Sequence, residues 1–270
     1  MAVHGRFLPA FWDALRPNLQ TKGFEDAADD VRRQAVAAAS LLGRLGIAHT
    51  TMLGESQAFH VRRALDLYHY VNPKLLVLTS AVHLALSGET VGGSGAGGAL
   101  LVLGEPPRML PMEMEDEDPD DPRLQQLFDD IRATLGVAQV NTDYRTLALW
   151  PEYLQAAWNA LKPIADSEAH RQAADALRET SRQLARGLPH RFAMHRDHVE
   201  ALGKDPGEIV ETTAQFERLL PGLILNVCLV RPAAEGEPRI AGVPARRPGR
   251  RIVNHRSVNH FTVSALNCWK

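Results

Sequence analysis

Apolar side chains recur at spacings of three and four residues along most of this sequence, which is the pattern of amphipathic α-helices. Two clear examples are Phe24–Leu45 and His170–Leu188, and a glycine or proline follows each of them. The runs Leu75–Gly88 and Leu219–Val230 are apolar on most faces, as expected of helices buried on all sides, although the second would also suit a short strand. Alternating strand patterns are scarce. The predicted fold class is therefore all-α.

The sequence also contains an internal repeat. FLPAFWDALRP at Phe7–Pro17 returns as YLQAAWNALKP at Tyr153–Pro163, with identical residues at six positions. After two inserted residues, LYHYVNPKLLVL at Leu67–Leu78 aligns with QFERLLPGLILN at Gln215–Asn226. Short-repeat solenoids have periods of about 20 to 50 residues, and the period here is far longer. We therefore predict a duplicated helical domain whose two repeats pack as a pseudo-dimer about a pseudo-two-fold axis.

Composition suggests where the repeats begin and end. We assign the first repeat to residues 1–103 and the second to residues 125–230, with an acidic linker at 104–124 between them. A basic tail follows at 231–270. Segments rich in charge and proline bury too little apolar surface to offset the entropy lost on ordering. We expect both the linker and the tail to be irregular and exposed.

Bulk composition narrows the classes of partner. The 270 residues are 45% hydrophobic and carry a formal charge of −2 at pH 7, so no general attraction to nucleic acid or membrane is expected. Neither a membrane span of about 18 apolar residues nor a signal pattern is found, and a cytoplasmic location is expected. The two cysteines, Cys228 and Cys268, indicate neither a disulfide framework nor a zinc site.

Three apparent motifs have simpler structural explanations. Gly92–Gly98 contains a G-x-G-x-x-G spacing but follows a helical run instead of a strand, so a flexible linker is expected there. The histidines between 190 and 198 lack a carboxylate to complete a metal site and are expected on the surface. Trp12 and Trp158 occupy equivalent helical positions and are expected to be core anchors. No metal site is predicted.

Two polar positions stand out from the helical pattern. Asn141, Thr142 and Asp143 begin the helix that leads into the second repeat, where Asp143 is either an N-cap or a carboxylate with a chemical task. Asn72 lies directly before a proline inside an apolar run, as a helix-boundary cap or as an amide that orients water. Its repeat counterpart is Leu220, so the pseudo-symmetry is broken there, as a site used once requires.

At these residues the chain resembles the group I 2-haloacid dehalogenases, or halocarboxylic acid dehydrogenase family, which accept both D- and L-2-haloalkanoic acids. The resemblance covers Phe7–Val230 and rests on VNTDYRTLALWPEYLQAAW, YHYVNPKLL and LLPGLILN. It implies that Asp143 is the catalytic base, that Asn72 shares a water with it, and that no cofactor takes part. It also implies a set of substrate-binding residues, namely Thr142, Tyr144, Phe216, Leu220 and Leu223.

The implied reaction is hydrolytic dehalogenation. Asp143 would deprotonate a water oriented by Asn72, and the hydroxide would attack C2 opposite the halide, with inversion and without an ester intermediate. Backbone N–H groups near Asn141–Tyr144, aided by Arg145, would hold the substrate carboxylate. A dehalogenase with an Asp nucleophile on a Rossmann-like sheet is disfavoured, because no strand-rich half is predicted.

Members of that family carry a segment before the first repeat that includes aromatic pocket residues. In the second repeat a stretch that starts near Val137 precedes Tyr153, and its counterpart in the first repeat would precede Met1, so we expect the first repeat to be N-terminally incomplete. The expected partner is a small-molecule 2-haloacid, and the expected assembly is a homodimer. The competing hypothesis is a catalytically inactive helical binding module in which Asp143 is only a cap.

Overall fold

The computed structural model describes residues 7–47, 53–101 and 113–235. These residues form nine α-helices and no β-strand, which confirms the all-α prediction. The helices are α1 (Phe7–Leu19), α2 (Lys22–Leu42), α3 (Glu55–Leu86), α4 (Pro122–Leu135), α5 (Thr142–Leu147), α6 (Pro151–Ala165), α7 (Glu168–Arg186), α8 (Arg196–Ala201) and α9 (Pro206–Glu235).

The two longest helices form the centre of the molecule. α3 has 32 residues and α9 has 30, and they pack more extensively against each other than any other pair of described helices. α2 and α7 cover this central pair. The prediction of central helices at Leu75–Gly88 and Leu219–Val230 is confirmed, and the short-strand alternative for the second run is wrong. None of the described helices combines the length and apolar character needed to cross a bilayer.

The order of helices follows the sequence repeat. α1, α2 and α3 align with α6, α7 and α9, and every aligned segment is helical in both copies. Even an ion pair one turn apart recurs, since Arg32 pairs with Asp29 in α2 and Arg178 pairs with Asp175 in α7. This arrangement supports a duplication, and the pseudo-two-fold axis stays a prediction.

The tryptophans of the two repeats differ in burial. Trp158 in α6 is 1% exposed, and its indole N–H donates to Oδ2 of Asp130 at 2.7 Å. Trp12 in α1 is only half-buried. α4 packs on α6 and helps to bury Trp158, whereas α1 packs chiefly against α2. The core-anchor prediction is confirmed for Trp158 and holds only in part for Trp12.

The glycine-rich segment at 92–98 is packed against the end of α7, so the prediction of a flexible linker is wrong. The Gly93 N–H donates to the carbonyl of Leu188 at 3.0 Å. Gly92 has a φ of +72°, and a Cβ at that position would lie 2.1 Å from the carbonyl oxygen of His190. The glycines therefore allow a close backbone approach that no larger residue would permit.

The predicted linker and tail lie largely outside the described residues, since 104–112 and 236–270 are not described. Residues 113–121 are irregular, as expected, but they are not loosely solvated throughout. Oε1 of Glu117 accepts hydrogen bonds from Nη1 of Arg132 at 2.9 Å and from the Val140 N–H at 2.8 Å. α4 begins inside the predicted linker, and α9 continues into the predicted tail. The proposed domain boundaries stay predictions.

Candidate active site

Asn72 and Asp143 meet in the interior, although 71 residues separate them in sequence. Nδ2 of Asn72 donates a hydrogen bond to Oδ2 of Asp143 at 2.8 Å. Asn72 is 4% exposed and Asp143 is 5% exposed. α3 runs through Asn72 without a break, and the N-cap of α5 is Asn141, so neither side chain serves as the cap that was the alternative. A carboxylate and an amide are thus in direct contact in the interior of the protein.

Tyr68, one turn before Asn72, fastens α3 to α5. Its hydroxyl lies 2.6 Å from Oγ1 of Thr146 and donates to the carbonyl of Thr142 at 3.1 Å. α5 has only six residues, so this contact holds both of its ends and fixes the position of Asp143. The sequence analysis missed Tyr68; its signal was a polar aromatic residue that faces Phe216 in the repeat alignment.

Burial raises the pKa of Asp143 to about 6, against a usual value of 3.8. Hydrogen bonds from Asn72, from its own backbone N–H and from the Thr142 hydroxyl act in the opposite direction. All three of these groups are neutral, so they moderate the effect of burial without cancelling it. At pH 7 the carboxylate is mostly ionised, and it is a stronger base than a carboxylate in water.

Tyr144 of α5 is held by side chains of α9 and α6. Nδ2 of Asn226 donates to the Tyr144 hydroxyl at 2.8 Å, and Oδ1 of Asn226 lies 2.9 Å from Nε2 of His170. The Tyr144 ring meets Trp158 edge-on, with ring centroids 5.7 Å apart. Asn226 and His170 were missed by sequence reasoning. A polar residue in an otherwise apolar helical run, the signal that found Asn72, would also have found Asn226.

The remaining predicted residues have different surroundings. Leu220 and Leu223 are buried in the core on α9, and Phe216 is partly buried against it, so their contribution to a substrate pocket stays a prediction. Arg145 points to the acidic segment, where its Nε donates to the carbonyl of Glu115 at 2.8 Å. The suggestion that Arg145 assists the substrate carboxylate stays a prediction, and the structure shows its Nε engaged with the acidic segment.

A groove of about 650 Å³ lies between α4, α6 and the start of α3. Leu124, Trp150 and Tyr153 are among the residues that line it, and none of the predicted site residues does. In the described ranges, no group of three or more His, Cys, Asp or Glu side chains is placed to hold a metal ion. The chemistry of the Asn72 and Asp143 pair is that of a neutral donor beside a buried base.

Comparison with known proteins identifies the family. The family model described as "Halocarboxylic acid dehydrogenase DehI" matches residues 1–144 and 139–239. The chain belongs to this family. The predicted family resemblance is thereby confirmed at this level.

Two curated relatives support the assignment. An (R)-2-haloacid dehalogenase from Pseudomonas putida is 31% identical over 242 residues, which cover 84% of this chain and 79% of the relative. A configuration-inverting 2-haloacid dehalogenase from Pseudomonas sp. (strain 113) is 33% identical over 201 residues, covering 70% of this chain and 64% of the relative.

Solved structures agree with this fold. A D-2-haloacid dehalogenase in complex with L-LA aligns with a TM-score of 0.78 and 27% identity, covering 84% of this chain and 82% of the other. A mutant of a D-2-haloacid dehalogenase in complex with D-2-CPA aligns with a TM-score of 0.75 and 26% identity, covering 86% of this chain and 83% of the other. The all-helical architecture is thus that of 2-haloacid dehalogenases.

Proposed function

We propose that this protein hydrolyses short 2-haloalkanoic acids, of both D and L configuration, to 2-hydroxy acids and halide. Family membership supports the coarser statement that it is a 2-haloacid dehalogenase, a hydrolase that acts on carbon–halide bonds. The observation that carries the proposed hydrolytic mechanism is the buried hydrogen bond of 2.8 Å between Asn72 and Asp143.

Asp143 acts as the base and Asn72 as the group that orients water. Displacement of halide from the carbon next to a carboxylate needs a strong nucleophile but little acid catalysis, because halide is the conjugate base of a strong acid. A water beside Asp143 loses its proton to the carboxylate, while the Asn72 amide holds both partners in line. Hydroxide then attacks C2 opposite the halide, which inverts the configuration and leaves no ester on the enzyme.

Burial makes this chemistry effective. An ordinary Asp, with a pKa near 3.9, is a weak base at pH 7. Burial raises the pKa of Asp143 to about 6, which is closer to the working pH. At pH 7 most molecules still have an ionised carboxylate, so the base is both available and stronger.

The substrate is assigned to the residues around this pair. Thr142 and Tyr144 flank Asp143 in α5, and the Thr142 hydroxyl already hydrogen-bonds the carboxylate. The apolar side chains of Phe216, Leu220 and Leu223 on α9 are proposed to receive the short alkyl chain.

A single-turnover reaction in ¹⁸O-labelled water, with enzyme in excess over racemic 2-chloropropionate, tests the mechanism. Direct attack by water puts ¹⁸O into the 2-hydroxy acid on the first cycle. Dual specificity predicts, separately, that both enantiomers are consumed. An unlabelled product of the first cycle would make Asp143 a nucleophile that forms an ester. Absence of chloride release would favour the inactive binding module, and consumption of one enantiomer only would remove the proposed dual specificity.

A further inference from the structure

A proline directly follows Asn72 in the interior of α3. Proline has no N–H, so the carbonyl four residues earlier, that of His69, loses the donor that a regular helix supplies. Buried backbone carbonyls nearly always have a hydrogen-bond partner, because an unpaired one is costly. α3 nevertheless continues through Pro73 to Leu86. A donor from outside the helix is therefore expected at the carbonyl of His69.

Arg32 of α2 supplies the missing donor. Its Nε donates to the carbonyl of His69 at 3.0 Å, and its Nη2 donates to the carbonyl of Tyr70 at 3.3 Å. The side chain is 19% exposed, pairs with Asp29, and lies 5.5 Å from the centre of the Tyr70 ring. A planar guanidinium with several fixed donors suits two neighbouring carbonyls.

A second contact fastens the same turn to α2. Lys74 lies over the Tyr70 ring, with Nζ 4.0 Å from its centre, and pairs with Glu25 of α2. The turn of α3 that carries Asn72 is therefore held on both sides of Pro73. The Asn72 amide reaches Asp143 from this turn.

We propose that Arg32 is a positioning residue for Asn72. By replacing the helical donor that Pro73 removes, it fixes the turn of α3 that directs the Asn72 amide to Asp143. The consequence for catalysis rests on the proposed function, whereas the consequence for the order of α3 does not.

The second repeat contains the same parts without this contact. Pro221 of α9 is the counterpart of Pro73, and Arg178 of α7 is the counterpart of Arg32. Arg178 pairs with Asp175 at 2.9 Å and donates to no carbonyl of α9 in the described part of the chain. α9 has Leu220 where α3 has Asn72, so it has no amide to direct. Arg178 is therefore a matched control.

The test is a double-mutant cycle with Arg32→Met and Pro73→Ala, since alanine at 73 restores the backbone donor to His69. Arg32→Met should lower kcat roughly tenfold to a hundredfold, with KM changed by no more than about threefold. Adding Pro73→Ala should bring kcat back to within about threefold of the Pro73→Ala single variant. Arg178→Met should leave kcat unchanged. Equal losses of kcat from Arg32→Met in the two backgrounds at residue 73 would overturn the proposal.

Hydrogen exchange followed by mass spectrometry gives a readout independent of activity. Exchange of the peptide spanning residues 66–80 should rise in Arg32→Met and return towards the wild-type rate in the double variant. If Arg32→Met does not fold, the double variant must fold, and its failure to do so would also overturn the proposal. If the wild type releases no halide, the proposed function fails, and the exchange data still decide the role of Arg32.

Discussion

At two equivalent positions the central helices carry different residues: α3 has Tyr68 and Asn72, while α9 has Phe216 and Leu220. Both polar side chains of α3 hydrogen-bond to α5, Tyr68 at its ends and Asn72 at Asp143. The apolar pair on α9 belongs to, or packs against, the hydrophobic core. A buried polar group destabilises the fold unless it has a hydrogen-bond partner. The contact between Asn72 and Asp143 therefore has no counterpart at Leu220 of α9.

α9 is not devoid of buried polar groups, but they have structural partners. Glu217 is 1% exposed and pairs with Nη2 of Arg182 at 2.7 Å, and Asn226 lies between Tyr144 and His170. The Glu217 carboxylate is therefore engaged in an ion pair. Asp143 has only neutral donors around it, which is what a catalytic base requires.

The largest expected effect comes from Asp143→Asn, which removes the proton acceptor from the Asn72 and Asp143 pair. We expect halide release to fall by a factor of about 10² to 10⁴, because the amide is not a useful base. The fold should persist, since the amide keeps the shape of the side chain. Chloride release and thermal unfolding measure the two effects. Asp175→Asn, an exposed change in α7, is the control, and undiminished activity in Asp143→Asn would refute the assigned role.

The tryptophans provide the next comparison, in stability instead of activity. Trp158→Ala should lower the free energy of unfolding by about 3–5 kcal/mol, because it empties a fully buried site and leaves Asp130 without its indole donor. Trp12→Ala should cost less, because Trp12 is already partly exposed to solvent. Urea unfolding of both variants checks the difference. Equal losses would mean that α1 is as well covered as α6.

Asn72→Leu introduces into α3 the residue that α9 has. The change removes a donor to Asp143, so the water loses its orientation and kcat should fall roughly a hundredfold. Asn72→Asp should also impair turnover, because a second carboxylate would repel Asp143 and raise at least one of the two pKa values. Steady-state kinetics of both variants, with circular dichroism as a check of folding, measure the effect. Wild-type kcat in either variant would contradict the role of the amide.

The raised pKa of Asp143 predicts a pH profile. The base must be unprotonated, so kcat should rise with pH, level off above about 6, and fall about tenfold for each unit below that value. A midpoint near 4 would show that Asp143 is solvated during turnover.

The raised pKa of Asp143 affects stability in the opposite direction: activity should rise with pH, whereas stability should fall. The folded state binds the proton more tightly than the unfolded state, so the contribution of Asp143 to stability decreases as pH rises from 3.8 to about 6. Above that range the cost of the buried charge is fully present. Asp143→Asn should not show this component of the pH dependence, and unfolding measured at several pH values checks the difference.

Tyr68→Phe has the smallest expected effect, since it gives α3 an aromatic residue like Phe216. Loss of the hydroxyl removes its bonds to Thr142 and Thr146, which should destabilise the fold by about 1–2 kcal/mol. We expect kcat to fall about threefold to tenfold because α5 loses one of its attachments. Thr146→Val removes one partner of the same hydroxyl, so the double variant should be less impaired than the sum of the two. If the effects of the two single variants were strictly additive, the hydroxyls of Tyr68 and Thr146 would be acting independently.

The sequence by itself determined the helices and located the candidate pair. Helical periodicity is a local property, and glycines and prolines mark many of the helix ends, so the elements could be predicted residue by residue. The broken symmetry between Asn72 and Leu220 pointed to one position in a run of apolar residues, and the polar cluster at a helix start pointed to Asp143. The family resemblance then joined the two residues in one reaction.

Only the tertiary structure decided which side chains surround that pair. The bonds from Arg32 to the carbonyls of α3, from Tyr68 to α5 and from Asn226 to Tyr144 join residues that are 37 to 82 apart in sequence, and local periodicity cannot show such contacts. The packing of the glycine-rich segment against α7 and the unequal burial of Trp12 and Trp158 likewise depend on neighbouring helices. Burial, which raises the pKa of Asp143, is a property of the packed molecule, because it results from all the atoms that exclude water from that carboxylate.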